Sequence, residues 1–286
     1  MARVAASART AATARTAATA RGAATARSTA NDAYTIDEFI SDLQDIAQIR
    51  FLHIPLATDT TTSTNTGPNP KVVTHSASIA TRLTAQGLGQ LVSYNGTDQY
   101  ATLADAADLS FGNATQDFPF SGAVLAKPTT AGAGTNRVAV AKLDTAAGKR
   151  EWDAIFNGDN KWALQFADAS TAVTRQRTTD ATFTHDALHT YHWSYSGVGG
   201  ANAANGAKLF VDGVEIASTA DNSVAGYTAM ENTDTTPLVG GFLIAGTPSL
   251  LFRGDLGFEV IYGANLSAAQ HLAVVTAVNL YYGTSL

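Results

Sequence analysis

The sequence predicts an all-β sandwich of the jelly-roll kind, preceded by an extended N-terminal arm and one short helix and closed by a C-terminal helix. Three observations predict it. Short alternating or apolar runs recur from about residue 50 onward, each bounded by Gly, Asn, Asp, Pro or Ser. The run "FVDGVEI" places Asp212-Gly213, a favoured two-residue hairpin turn, between two β-type segments. Only 15% of residues are charged while small residues abound, which suits strands joined by small-residue loops.

The elements follow in chain order. Residues 1–34 read as a basic repeat arm, with Arg3, Arg9, Arg15, Arg21 and Arg27 six residues apart and no acid before Asp32. A step of six turns an α-helix by about 240°, which scatters these arginines and argues against an amphipathic transit peptide. In an extended chain the even spacing points every arginine the same way, roughly 20 Å apart. Such a segment has almost nothing to bury and cannot order itself. The expectation is a ribbon docked along another chain through main-chain pairing and arginine–carboxylate contacts, with a low-complexity linker as the alternative.

Residues 35–49 read as a helix and connector. Thr35 and Glu38 have capping-box spacing, and Phe39, Leu43 and Ile46 share a face, so a helix is expected at about 36–48, covering one end of the core or meeting a partner. Residues 50–286 read as one domain, with strand signals in "IRFLHIPL", "SGAVLAKP", "NRVAVAKL", "EWDAIF", "KWALQFAD", "YHWSYSG" and "LGFEVIYG" among others. "LSAAQHLAVVTAVNLYYG" reads as a helix capped by Ser267.

Charge narrows the partners. The first thirty residues carry five arginines and no acid, whereas the remainder carries 13 basic and 24 acidic residues, a net of −11. An acidic body argues against nucleic acid. There is no cysteine, hence no disulfide or thiolate site. No apolar run reaches the ~18 residues of a membrane span, and the N-terminus lacks the apolar stretch of a secretory signal.

Four segments resemble a known family. "VSYNGTDQYATLADAADLSFG", "FPFSGAVLAKP", "HTYHWSYSGVGG…AKLFVDGVEIAST" and "FRGDLGFEVIYGANLSAAQ" are similar, in order, to strands of the concanavalin A-like, laminin G-like jelly rolls. The resemblance spans about residues 50–286 and implies a lectin-type sandwich. The fold hosts lectins, glycosidases, adhesion modules and viral structural proteins, so it does not choose among them. Its glucanase branch uses E-x-D-x-x-E. Here "EWDAIF" offers Glu151 and Asp153 but puts Phe156 where the second glutamate belongs, so the proton donor of a retaining mechanism is missing. The expectation is a non-enzyme in which the two acids are exposed and Trp152 and Phe156 are packed.

Other candidates are weighed the same way. His185, His189 and His192 invite a metal, but a loop running into a strand gives the spacing no set geometry. Related domains sometimes hold calcium with Asp and backbone oxygens, and Asp212 and Asp255 stand in suggestive loops, yet turns use Asp for local hydrogen bonds. Trp152, Trp162 and Trp193 suit a sugar platform or, more simply, a core. No cofactor and no metal is expected. The arm resembles those of tailed-phage virion proteins. The reading is therefore a virion structural protein (decoration, head-fibre or tail-associated) assembled in the host cytoplasm. Its arm docks on capsid or tail subunits, and it forms a homo-oligomer and meets host-surface glycans. The alternative is a bacterial carbohydrate-binding module or lectin; a glycoside hydrolase ranks third.

Overall fold

The computed structural model describes residues 34–56, 62–64, 71–76, 83–132, 134–146 and 148–286. Arg3, Arg9, Arg15, Arg21 and Arg27, and with them the arm's docking role, lie outside the described residues.

Helix α1 (Ile36–Ile46) starts where the capping box places it. The Thr35 hydroxyl accepts from the Glu38 N–H at 3.3 Å, and the Glu38 carboxylate accepts from the Thr35 N–H at 2.9 Å. It stops two residues short of expectation, because Ala47 turns extended and β1 begins at Ile49. Helix α2 (Ala268–Tyr282) is capped by Ser267 in the same reciprocal way with Gln270, and ends on Gly283 in the left-handed region.

The strands in chain order are β1 (Ile49–His53), β2 (Thr62–Thr64), β3 (Val72–His75), β4 (Leu83–Gln86), β5 (Gly89–Asn95), β6 (Ala101–Leu103), β7 (Phe120–Pro128), β8 (Arg137–Leu143), β9 (Arg150–Phe156) and β10 (Trp162–Asp168). They continue as β11 (Val173–Thr179), β12 (His189–Tyr195), β13 (Ala207–Val211), β14 (Val214–Glu215), β15 (Ser218–Asp221), β16 (Leu238–Val239), β17 (Phe242–Ile244), β18 (Thr247–Ser249) and β19 (Arg253–Tyr262). The first sheet runs β14-β13-β12-β7-β19-β5-β4, with β1 also paired to β19. The second runs β15-β11-β10-β9-β8-β16-β6-β3-β2. Their strand pairings are antiparallel, and consecutive neighbours alternate with long crossovers, as a jelly-roll sandwich requires.

Three apolar layers follow from the period-two alternation of side chains. Between the sheets lie Phe120, Val124, Trp152, Phe156, Trp162, Leu164, Phe166, Tyr191, Trp193 and Tyr195. All three tryptophans are fully buried, so they form the core and not a surface platform. On the outside of the first sheet, Ala123, Leu125, Phe258, Val260 and Tyr262 pack against Phe39 and Leu43 of α1 and Val274, Val278, Tyr281 and Tyr282 of α2. Strand β7 is consequently apolar on both faces. Helix α1 thus lies flat on a sheet instead of closing an end of the core. The Phe39 ring meets Phe258 of β19 edge-on at 5.7 Å, which places the helix over the face of the sheet.

On the outside of the second sheet is a smaller cluster of Val138, Ala141, Leu143, Ile155, Ala163 and Phe242. The hairpin β17–β18 covers it. That hairpin is tied down by a bridge between Asp144 and Leu243, by the Thr145 N–H donating to Leu243 O at 3.0 Å, and by the Val138 N–H donating to Leu250 O at 3.0 Å. No helix among the described residues is long and apolar enough to cross a membrane.

Candidate functional site

Strand β9 alternates Trp152, Ala154 and Phe156 into the sandwich with Asp153 and Ile155 on the outer face. The outward side chains meet a cleft of about 190 Å³ lined by Asn136, Arg150, Asp153, Gln165, Thr174 and Phe242, together with apolar neighbours from β8, β9 and the β17–β18 hairpin. Asp153 is its floor. It is 1% exposed, and its Oδ1 has no hydrogen-bond partner among the described residues. Burial alone pushes the carboxyl up to about 7, because the charged form is cut off from water.

Strand register extends this floor into a polar row. Asp153 stands opposite Gln165, Gln165 opposite Gln176, and Gln176 opposite Asp221, one residue from each of β9, β10, β11 and β15. The Gln165 amide donates to Gln176 Oε1 at 2.9 Å. Above one end, Phe242 supplies an aromatic ring and Arg150 a cation, the latter donating to the Thr145 carbonyl at 3.3 Å. The arrangement offers donors, acceptors and an apolar ring around one open space, the chemistry that a polyol with a hydrophobic face needs.

The expectation that Glu151 and Asp153 are exposed is overturned, since they are 0% and 1% exposed. The reason is a register shift between Lys142 and Leu143, which pair with Trp152 and Arg150 and leave Glu151 as the extra residue of a bulge. Glu151 thereby turns to Lys142 and Thr233, while Asp153 faces the cleft. A retaining glycosidase needs two carboxyls about 5–5.5 Å apart around one bond; these two serve separate neighbourhoods. Phe156, in the position of the second glutamate, packs on Trp162, Tyr191 and Phe252.

The three histidines singled out in the sequence go three ways. His185 meets Asn160 at 3.0 Å, His189 meets Asp212 at 2.7 Å, and His192 meets His271 of α2 at 3.2 Å. No group of three His, Asp or Glu side chains placed to hold a metal occurs among the described residues. Asp212 also accepts from the Thr190 N–H at 2.9 Å, and Asp255, which lies in β19 and not in a loop, accepts from the hydroxyl of Ser93, its cross-strand partner on β5. Sequence reasoning passed over Asn136, Arg150, Gln165, Thr174 and Phe242. The available signal was the parity of "EWDAIF" and "KWALQF", which sets Asp153 and Gln165 on the face opposite the tryptophans.

No protein-family model matches the chain, and no curated protein matches it. Solved structures do. The binding domain of Paraclostridial Mosquitocidal Protein 1 shares 11% identity with a TM-score of 0.56, over 82% of this chain and 52% of that one. The botulinum neurotoxin serotype D ligand-binding domain in complex with N-acetylneuraminic acid shares 8% with a TM-score of 0.57, again over 82% and 52%. Trypanosoma rangeli sialidase in complex with 2,3-difluorosialic acid shares 10% with a TM-score of 0.50, over 80% and 33%. The chain therefore spans about half the length of the toxin binding domains and a third of the sialidase. At such identities the likeness is one of fold: a lectin-like β-sandwich.

Proposed function

We propose that this chain is a carbohydrate-binding module that binds without turnover, and that the cleft over Asp153 receives the sugar. The observation that carries the reading is the buried, partnerless Asp153 carboxyl facing an open space rimmed by amides, hydroxyls and an aromatic ring. The half-buried Gln165 amide serves one sugar hydroxyl; Asp153 and Phe242 are enclosed, so a second hydroxyl reaches the orphan acceptor, and the C–H face reaches the ring, only as the side chains at the rim give way. The cleft is smaller than the ~300–1,000 Å³ of drug-sized sites, which suits one pyranose ring. The sialic acids held by two of the fold's neighbours make an acidic sugar the first to try, and Arg150 is the cation placed for its carboxylate.

Titration calorimetry of the full chain with N-acetylneuraminic acid and with neutral hexoses tests this. Asp153→Ala and Gln165→Ala should each weaken binding tenfold or more, and Arg150→Ala should weaken only the acidic sugar. Binding that survives Asp153→Ala, or no binding of any saccharide, sinks the reading. The virion reading adds a docking role for the arginine repeat, motivated by its six-residue spacing. Removing residues 1–34 should then abolish incorporation into particles while leaving saccharide affinity unchanged; incorporation that persists rules it out.

A further inference from the structure

A second charged group stands apart from the cleft. Lys142 is fully enclosed, and its Nζ lies 2.7 Å from Oδ1 of Asp105 and 3.0 Å from Oε1 of Glu151. Nζ also donates to Ser110 Oγ at 2.6 Å. Glu151 is equally enclosed. Its Oε1 accepts from the N–H and hydroxyl of Thr233, both at 2.8 Å, while its Oε2 has no partner among the described residues. Asp105, in the loop after β6, is about one-third exposed.

One enclosed amine thus touches two carboxyls that differ in setting. Holding an ammonium and carboxylates together out of water is costly. Burial raises the proton affinity of Glu151, which equips it to take a proton from its neighbour. An amine in contact with a carboxyl oxygen sits one bond further from the carbonyl carbon, near the roughly 3–3.5 Å from which attack proceeds. We propose that Lys142 and Asp105 condense into an intramolecular amide, with Glu151 as the proton carrier. The Nζ lone pair attacks Cγ of Asp105, the Nζ–Cγ bond forms and one Cγ–O bond breaks. Two of the three Nζ hydrogens leave with that oxygen as a single water molecule. Glu151 takes and returns protons and ends as it began. No oxidant or further reactant is needed. The product replaces the Lys142–Asp105 ion pair, enclosed on the lysine side, by a neutral amide.

The position gives the bond a purpose. Only the two-residue strand β16 lies between β8 and β6 in the second sheet. An amide from Lys142 to Asp105 spans the sheet where its ladder is shortest.

Intact mass of the full chain under denaturing conditions decides the matter, followed by peptide mapping. The expected result is a chain lighter by one water, with a branched peptide joining the Asp105 and Lys142 segments. Asp105→Ala, changed on a partly exposed loop, should restore the full mass, and Asp105→Asn should lose ammonia in place of water. Glu151→Gln should leave the chain unlinked. A wild-type chain at full mass, or a lost water that maps elsewhere, overturns the bond. Linkage undiminished in Glu151→Gln overturns the role of that residue.

Discussion

Asp153 is a carboxyl whose folded environment favours the proton. Between about pH 4 and pH 7 the folded chain keeps a proton there that the unfolded chain has released, so this residue's contribution to stability falls as pH rises through that window and levels off above it. The difference is at most on the order of 4 kcal/mol. Asp153→Asn removes the slope. Its melting temperature relative to wild type should therefore climb from pH 4 to pH 8, as followed by circular dichroism; a difference that stays flat with pH would show that the carboxyl titrates normally. Comparison with the variant is needed because other buried groups tilt the wild-type curve both ways. Glu151 and Glu259 are pushed up by burial, while His75 and His271 are pushed down to about 4 and about 3. At this scale the sequence was only partly readable. Alternation tells which face a side chain takes, but the bulge that separates Glu151 from Asp153 depends on pairing with a strand several residues away, and no local signal announces it.

Elements were more legible where their bonds are local. Thr35 with Glu38, Ser267 with Gln270, and the Asp212-Gly213 turn each close within a few residues, so side-chain chemistry alone places them. The run "GFLIAG" signals β17, but its pairing into a hairpin with β18 and its placement were not legible, because its anchors, Asp144 and Val138, are about a hundred residues away. Its turn also uses unfavoured chemistry. Ala245 and Gly246 both have positive φ, at 47° and 79°, between the paired Ile244 and Thr247. Two-residue turns of that shape prefer Asn-Gly, and a non-glycine residue in the left-handed region costs about 1–2 kcal/mol. Ala245 is exposed, so Ala245→Asn has no packing to lose and should stabilise the chain by about 1 kcal/mol in urea titration. A destabilised variant would mean that the hairpin turns differently.

For the molecule as a whole, the sandwich was legible because four family-like segments occur in order, and each contains a strand of the first sheet, the fourth running on into the start of α2. The partners of those strands were not, since β16 enters between β8 and β6 from a distant part of the chain. The centre of the sandwich depends on one close approach. An added Cβ on Gly122 would stand 2.1 Å from the Trp193 ring, which in turn neighbours Trp152 and Trp162 at 6.4 and 6.1 Å. Gly122→Ala should cost roughly 1–3 kcal/mol and alter the near-ultraviolet signal of the tryptophans, because a fully buried ring must shift to admit the methyl group. An unchanged unfolding midpoint would contradict this packing. The helical layer has a different consequence. Tyr34 and Leu286 both pack in the apolar cluster outside the first sheet, whereas the Asp153 cleft opens outside the second. A tag, tether or fused module joined at either of those residues departs from the back of the sandwich, so many copies fixed side by side on a support would all keep their clefts turned outward.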